Sequence, residues 1–164
     1  MSAAKNQEIS IVVVDALDAE LNALLAESDS DLSRRYPSEH IYTIMPGEPG
    51  ASGAVFLIAR NQGVAVACGA LLPSGAGTAE IKRMFVRPDA RRGGVARKML
   101  AKLESAALQM GCKTIRLETG TKQPESAALY ESAGYRPIPC FGEYAGDPYS
   151  LCYEKCFADD GSDS

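Results

Sequence analysis

The sequence predicts an α/β fold built on one mixed, mostly antiparallel sheet with helices on both faces. Three observations predict it. Short β-branched runs of alternating polarity recur along the chain, three of them in close succession. Three other stretches carry apolar residues at helical spacing or open with a helix-start signal. The order is strand, helix, three strands, helix, strand, helix, two strands. It suits neither a doubly wound αβ repeat nor an all-β sandwich.

Ile9–Val14 is the first strand by its β-branched content. Asp15 then reads as a helix cap with Asp18 as the capping-box acid, and Leu17, Leu21, Leu24 and Leu25 fall on one helical face. That helix is expected to fade near Ser28, where Asp and Ser accumulate, leaving residues 29–40 as a long loop. Residues 45–53 are rich in Pro and Gly and read as a turn. Residues 55–60 and 64–72 are strands joined through Asn61, Gln62 and Gly63, and residues 79–86 form the next. Val95, Met99, Leu100, Leu103, Ala107 and Met110 make a helical stripe ended by Gly111. Residues 114–119 alternate as a strand. Gln123 and Pro124 open a third helix that Gly134 closes, and residues 135–140 and 150–157 are closing strands.

With 164 residues, 46% of them hydrophobic and 23% charged, the chain reads as one globular domain over residues 9–157. Residues 1–8 and the acidic tail 158–164 are expected to be disordered. No apolar run approaches the ~18–20 residues of a membrane span, and the first residues lack the apolar core of a signal peptide. The expected location is cytoplasmic, with no membrane partner. The five cysteines show no Cys-x-x-Cys pair and His40 is the single histidine, so no metal site is expected and the thiols are read as reduced.

Charge is distributed unevenly. Seven of the seventeen Lys and Arg lie between Lys82 and Lys98 against one acid, Asp89, so this window is +6 and the remainder of the chain −10. Within it, Arg91-Arg92-Gly93-Gly94-Val95-Ala96-Arg97 joins a strand to a helix. Exposed N–H groups at a helix N-terminus, glycines that admit close backbone approach, and arginines together suit a phosphate-bearing ligand. A solvated basic turn is the plainer alternative. Nucleic acid is disfavoured as a partner, because the chain is acidic overall and lacks a broad basic face.

Arg91 to Ala96 resembles the Arg/Gln-x-x-Gly-x-Gly/Ala signature of the GCN5-related N-acetyltransferases, the GNAT superfamily. A second segment, Leu129-Tyr130-Glu131-Ser132-Ala133-Gly134-Tyr135, is similar to that family's Leu-Tyr-x-x-x-Gly-Phe/Tyr segment. The resemblance spans most of residues 9–157, and part of it points to small bacterial members whose substrates are mostly unassigned. It implies the acyl-CoA N-acyltransferase fold, acetyl-CoA as cosubstrate and a small-molecule or peptide amine as acceptor. Arg91, Arg92, Gly93, Gly94, Val95, Ala96 and Arg97 would hold the pyrophosphate. The backbones of Met84, Phe85 and Val86 would hold the pantetheine arm, with a bulge there aiming an N–H at the thioester oxygen. Gln123 stands where the family commonly has Asn, so a side-chain contact from it is in question.

Acetyl transfer to an amine requires a base, donors for the oxyanion and an acid for the departing thiolate. Deprotonating a lysine-like amine of pKa ~10.4 at pH 7 costs roughly 4–5 kcal/mol, so the base matters most for alkyl amines. The resemblance makes Tyr130 the acid and Glu80 the first base, with Glu118 in reserve. Glu80 equally reads as a carboxylate paired with Lys82 or an arginine. Arg34, Tyr36, Glu39, His40 and Tyr144 lie in the irregular segments where the amine would be recognised, although His40 also reads as a loop anchor. A non-catalytic acyl-CoA-binding module is the competing class, and homodimer formation is left open.

Overall fold

A computed structural model describes residues 8–157. The expected disordered segments lie outside these residues except for Glu8, whose carbonyl accepts from Gln62 N–H at 3.2 Å. Seven strands form one sheet in the order β1-β2-β3-β4-β5-β7-β6. They are β1 (Ile9–Val14), β2 (Val55–Asn61), β3 (Val64–Pro73), β4 (Thr78–Val86), β5 (Thr114–Gly120), β6 (Arg136–Ile138) and β7 (Ser150–Cys156). The helices are α1 (Ala19–Arg35), α2 (Val95–Gln109) and α3 (Pro124–Ser132). The predicted mixed sheet with helices on both faces is the observed architecture.

Alternation along the central strands divides the core in two. One side packs Leu57, Leu71, Ile81, Ile115 and Leu117 against Met99, Leu100 and Leu103 of α2 and Tyr130 of α3. The other packs Phe56, Ile58, Cys68 and Phe85 under Leu21, Leu24 and Leu25 of α1. All pairings are antiparallel except β4 with β5.

Helix α1 departs from expectation at both ends. Asp18, not Asp15, is its cap, its carboxylate accepting from Leu21 N–H at 2.9 Å. Asp15 instead closes the preceding turn by accepting from Leu17 N–H, and Leu17 is 90% exposed rather than on the buried face. The helix then runs through the predicted loop to Arg35. Arg83 donates to the Leu25 carbonyl at 3.2 Å and pairs with Asp29, while Asp31 pairs with Arg34 and Arg35 one turn on. These contacts outweigh the weak helix propensity of Asp and Ser. At the other end of the chain β6 is three residues long, because Pro137 and Pro139 cannot donate to a ladder. Cys140 and Cys152 are joined as a disulfide, which corrects the expectation that every cysteine is reduced; Cys68 and Cys112 are buried and free. Cys156 is also free but exposed.

Candidate active site

Two features of β4 shape the cleft. Strands β4 and β5 pair in parallel from Thr78↔Thr114 to Ile81↔Leu117 and then part, although each continues with its other neighbour, β4 to Val86 and β5 to Gly120. Beyond Ile81 the β5-facing edge of β4 has no strand partner, so its peptide groups face a notch inside the sheet. Beside the notch, Cys68↔Phe85 and Ala70↔Lys82 bracket two residues of β4, Arg83 and Met84, opposite the single Gly69. This is a β-bulge, and Arg83 sits in it at φ +60. A Cβ on Gly69 would lie 3.2 Å from the Met84 sulfur and 3.1 Å from Leu103 Cδ1, so a larger residue opposite the bulge would require these side chains to shift.

The cleft has a volume of about 790 Å³ and runs from the notch to the start of α2. At that far end Arg92 (φ +71) and Gly94 (φ +84) turn the chain, and no side chain caps α2. Its first amides, Arg92 and Arg97 therefore present donors and positive charge together. Arg91 is held by donating to the Val86 carbonyl at 2.8 Å, and Arg97 donates to the Ser132 hydroxyl at 2.9 Å. An anionic, amide-bearing ligand suits this arrangement: phosphates at the turn, peptide-like groups along β4. Of the predicted cofactor residues, Met84, Phe85, Val86, Arg91, Arg92, Gly94, Ala96, Arg97, Gln123 and Tyr130 line the cleft, whereas Gly93 and Val95 do not. Val95 is 3% exposed and belongs to the core under α2.

The three candidate catalytic residues separate. Tyr130 lines the cleft and also packs on Tyr135 and Tyr153 at 5.9 and 6.4 Å between ring centroids. Burial raises its phenol above the ordinary value, so it arrives at the notch carrying its proton. Glu80 lies off the cleft. Its carboxylate accepts a short hydrogen bond from the Tyr144 hydroxyl and lies 3.5 Å from Lys82 Nζ, which is the paired-carboxylate alternative raised from the sequence. Glu118 lines the cleft, accepts from the Ser150 hydroxyl at 2.7 Å, and is pushed up to about 7 by burial. The Ser150 hydrogen bond and the Lys82 charge pull the other way.

The residues expected at the amine lie around the cleft rather than in it. Arg34 is exposed on Asp31, and Glu39 is exposed. Tyr36 is buried: its hydroxyl accepts from Lys122 N–H at 3.0 Å and donates to Gln123 Oε1 at 3.1 Å, above Gly120. This bond occupies Gln123, whose side chain does not cap α3. His40 Nδ1 lies 2.8 Å from Asp147 and packs edge-on to Tyr149, anchoring the loop. Tyr42 also donates to Asp147; that bond first, then those of His40 and Tyr149 N–H, hold the carboxyl down at about 2. Tyr144 is engaged with Glu80 and Lys82. The cleft wall on that side is instead lined by Ser28, Asp31, Leu32, Arg35, Tyr42 and Thr43. Ser28, Asp31, Leu32 and Arg35 are one face of a helix, a spacing that the sequence offers as soon as α1 is extended past residue 28.

A split sheet with an uncapped, arginine-rich helix start at its mouth is the arrangement of a fold suited to a phosphorylated, amide-bearing ligand. The model of the Acetyltransferase (GNAT) family matches residues 19–135. An IAA acetyltransferase of Azospirillum brasilense is 38% identical over 133 residues, 80% of this chain and 87% of that protein. A Klebsiella pneumoniae crystal structure assigned as an acyl-CoA N-acyltransferase superposes with TM-score 0.79 at 35% identity, covering 92% of this chain and 98% of the other. A GNAT acetyltransferase of Elizabethkingia anophelis with acetyl-CoA bound superposes at TM-score 0.67 over 91% of this chain and 98% of that one; at 17% identity this likeness concerns the fold. The chain belongs to the GNAT family of acetyltransferases and is an N-acetyltransferase.

Proposed function

We propose that the protein transfers an acetyl group from acetyl-CoA to a primary amine of a small molecule or peptide by direct attack on the thioester, with Glu118 as the base and Tyr130 as the acid. The observation that carries this reading is the notch between β4 and β5, which brings Glu118 and Tyr130 to one cleft with the arginine-glycine turn at its far end. Bound there, acetyl-CoA supplies the activated acetyl group and the thiolate that leaves. Arg91, Arg92, Arg97 and the first amides of α2 hold its phosphates, and the open edge of β4 at Met84, Phe85 and Val86 holds its amide-bearing arm. The bulge at Arg83 and Met84 turns backbone donors towards the reacting carbonyl. Glu118 takes the proton of the amine. A carboxyl titrating near 7 is well matched to that task at neutral pH, while leaving most of the cost of deprotonating an alkyl amine to proximity in the cleft. Tyr130 gives its proton to the departing sulfur, whose developing charge offsets the raised pKa of the phenol.

Glu118 therefore replaces Glu80 as the preferred base, because Glu80 is closed off behind Tyr144 and Lys82. The test is CoA release from acetyl-CoA across a panel of polyamines, amino acids, aminoglycosides and peptide N-termini. The panel includes IAA, after the name of the 38% identical relative. Glu118→Gln is expected to lower turnover with the best acceptor about a hundredfold or more while acetyl-CoA still raises the melting temperature. Full turnover by Glu118→Gln would overturn the assignment of the base. No melting shift of the native protein at millimolar acetyl-CoA would overturn the reading of the cleft.

A further inference from the structure

Lys82 has no part in the chemistry described so far, yet it occupies a conspicuous position. Ile81↔Leu117 is the last pair of the parallel ladder, so Lys82 and Glu118 are the first residues past the split, one on each lip of the notch. Side chains at matching positions of neighbouring strands share a face, and both residues line the cleft. The Lys82 side chain is only 6% exposed. An ammonium buried this far is costly unless its partners are fixed. Tyr144 donates its single proton to Glu80 and accepts from Lys82 Nζ at 2.6 Å, and the Glu80 carboxylate lies 3.5 Å from the same nitrogen. These two partners leave the ammonium with a third donor that neither uses.

We propose that Lys82, clamped by Tyr144 and Glu80, is a positioning residue for Glu118: its fixed charge keeps Glu118 an oriented carboxylate at the lip of the notch and so sets how acidic the medium becomes before transfer stops. The proposal rests on Glu118 serving as the base. The groups facing Glu118 come from every side of the cleft. Ser150 of β7 donates to it, and Lys82 of β4 favours its ionised form. Glu80 of β4 and Asp147 ahead of β7 oppose ionisation. Tyr36 at the end of α1, Tyr42, Tyr130 of α3 and Tyr144 complete the surroundings and are neutral at pH 7, each held above the ordinary phenol value. Lys82 is the cation whose charge acts on Glu118 across the notch, while Arg35 lines the same cleft beside Tyr36. Its removal leaves the Ser150 hydrogen bond to work against burial and the two acids, and Glu118 becomes harder to ionise.

The test compares the pH dependence of kcat/KM, from pH 5.5 to 9.5, for the native chain, Lys82→Met, Lys82→Arg and Tyr144→Phe with acetyl-CoA and the best acceptor amine. Lys82→Met is expected to move the acidic limb to higher pH, lowering kcat/KM at pH 7 about tenfold while activity at pH 9 recovers to within about twofold. Lys82→Arg should restore most of the limb, and Tyr144→Phe, which releases the clamp, should move it part of the way. An unmoved limb with a uniformly lower plateau would mean that Lys82 only supports the structure, and the proposal would fall. Carbon-13 NMR titration of the Glu118 carboxyl in the native chain and Lys82→Arg, Lys82→Met and Tyr144→Phe variants gives a readout independent of turnover. A carboxyl that titrates identically in all four overturns the proposal even if Glu118 is the base. One that moves as expected in an enzyme indifferent to Glu118→Gln upholds the electrostatic coupling and overturns only the base assignment. Should Lys82→Met fail to fold, Tyr144→Phe carries the same comparison.

Discussion

Glu118 should cost the protein stability at neutral and alkaline pH. Its ordinary value near 4.5 is pushed up to about 7 in the fold, chiefly by burial. Between those two values the native chain holds a proton that the unfolded chain has released, so stability falls as pH rises through this window. At about 1.4 kcal/mol for each tenfold change in proton affinity, the full cost above pH 7 is about 3 kcal/mol. That is a large fraction of the ~5–15 kcal/mol that holds a typical domain together. Glu118→Gln keeps an acceptor for the Ser150 hydroxyl and never ionises, while Lys82 retains Tyr144 and Glu80. Urea unfolding of the native chain and the variant should coincide within about 1 kcal/mol at pH 4.5. At pH 8 the variant should be more stable by up to about 3 kcal/mol, a midpoint shift of roughly 1–2 M. An equal difference at both pH values would refute the reasoning, because a packing effect does not titrate.

Other perturbations separate the remaining parts of the site. Tyr130→Phe should slow single-turnover acetyl transfer by about 10²-fold or more while acetyl-CoA binding changes by less than about threefold; unchanged transfer would remove Tyr130 as the acid. Glu80→Gln should reduce turnover far less than Glu118→Gln, measured with the same acceptor, since Glu80 lies off the cleft. Gly120→Ala puts a Cβ into the Tyr36 ring and hydroxyl and should destabilise by about 1–3 kcal/mol in chemical unfolding. Asp18→Ala removes the cap of α1 and should cost about 1 kcal/mol without affecting acetyl-CoA affinity.

The legible and illegible parts of this chain divide by the range of the interactions involved. All seven strands and three helices follow from periodicity and turn residues, because alternation and the apolar stripe of α2 are local properties. The arginine-glycine turn was readable for the same reason, since Gly94 marks a left-handed backbone position where it stands, although the second such position falls on Arg92, which carries no signal for it, and not on Gly93. The end of α1 was not, since Asp29 and Asp31 look like helix breakers until Arg83, some fifty residues on, is seen to hold Leu25 and Asp29. The choice between Glu80 and Glu118 was equally hidden. Both sit on strands beside the motif, and only the arrival of Tyr144 from a distant loop closes one and leaves the other facing the cleft. The Glu80-x-Lys82 spacing did signal a pair on one strand face. What it lacked was the parallel register, which sets Lys82 across from Glu118.

The latch at the end of α1 ties two walls of the cleft into one body. Tyr36 bonds Lys122 N–H and Gln123, and Arg35 donates to the Lys122 carbonyl at 2.8 Å. The helix whose Ser28, Asp31 and Arg35 line the cleft is thereby bolted to the turn from which α3, the bearer of Tyr130, departs. On the proposed mechanism, acceptor choice and carrier grip are not separately adjustable: changes along Ser28, Asp31 and Arg35 made to admit a different amine would also shift the bearing of Tyr130. Evolution of a new substrate on this scaffold would proceed most freely from the Tyr42 and Thr43 side, which the latch does not load.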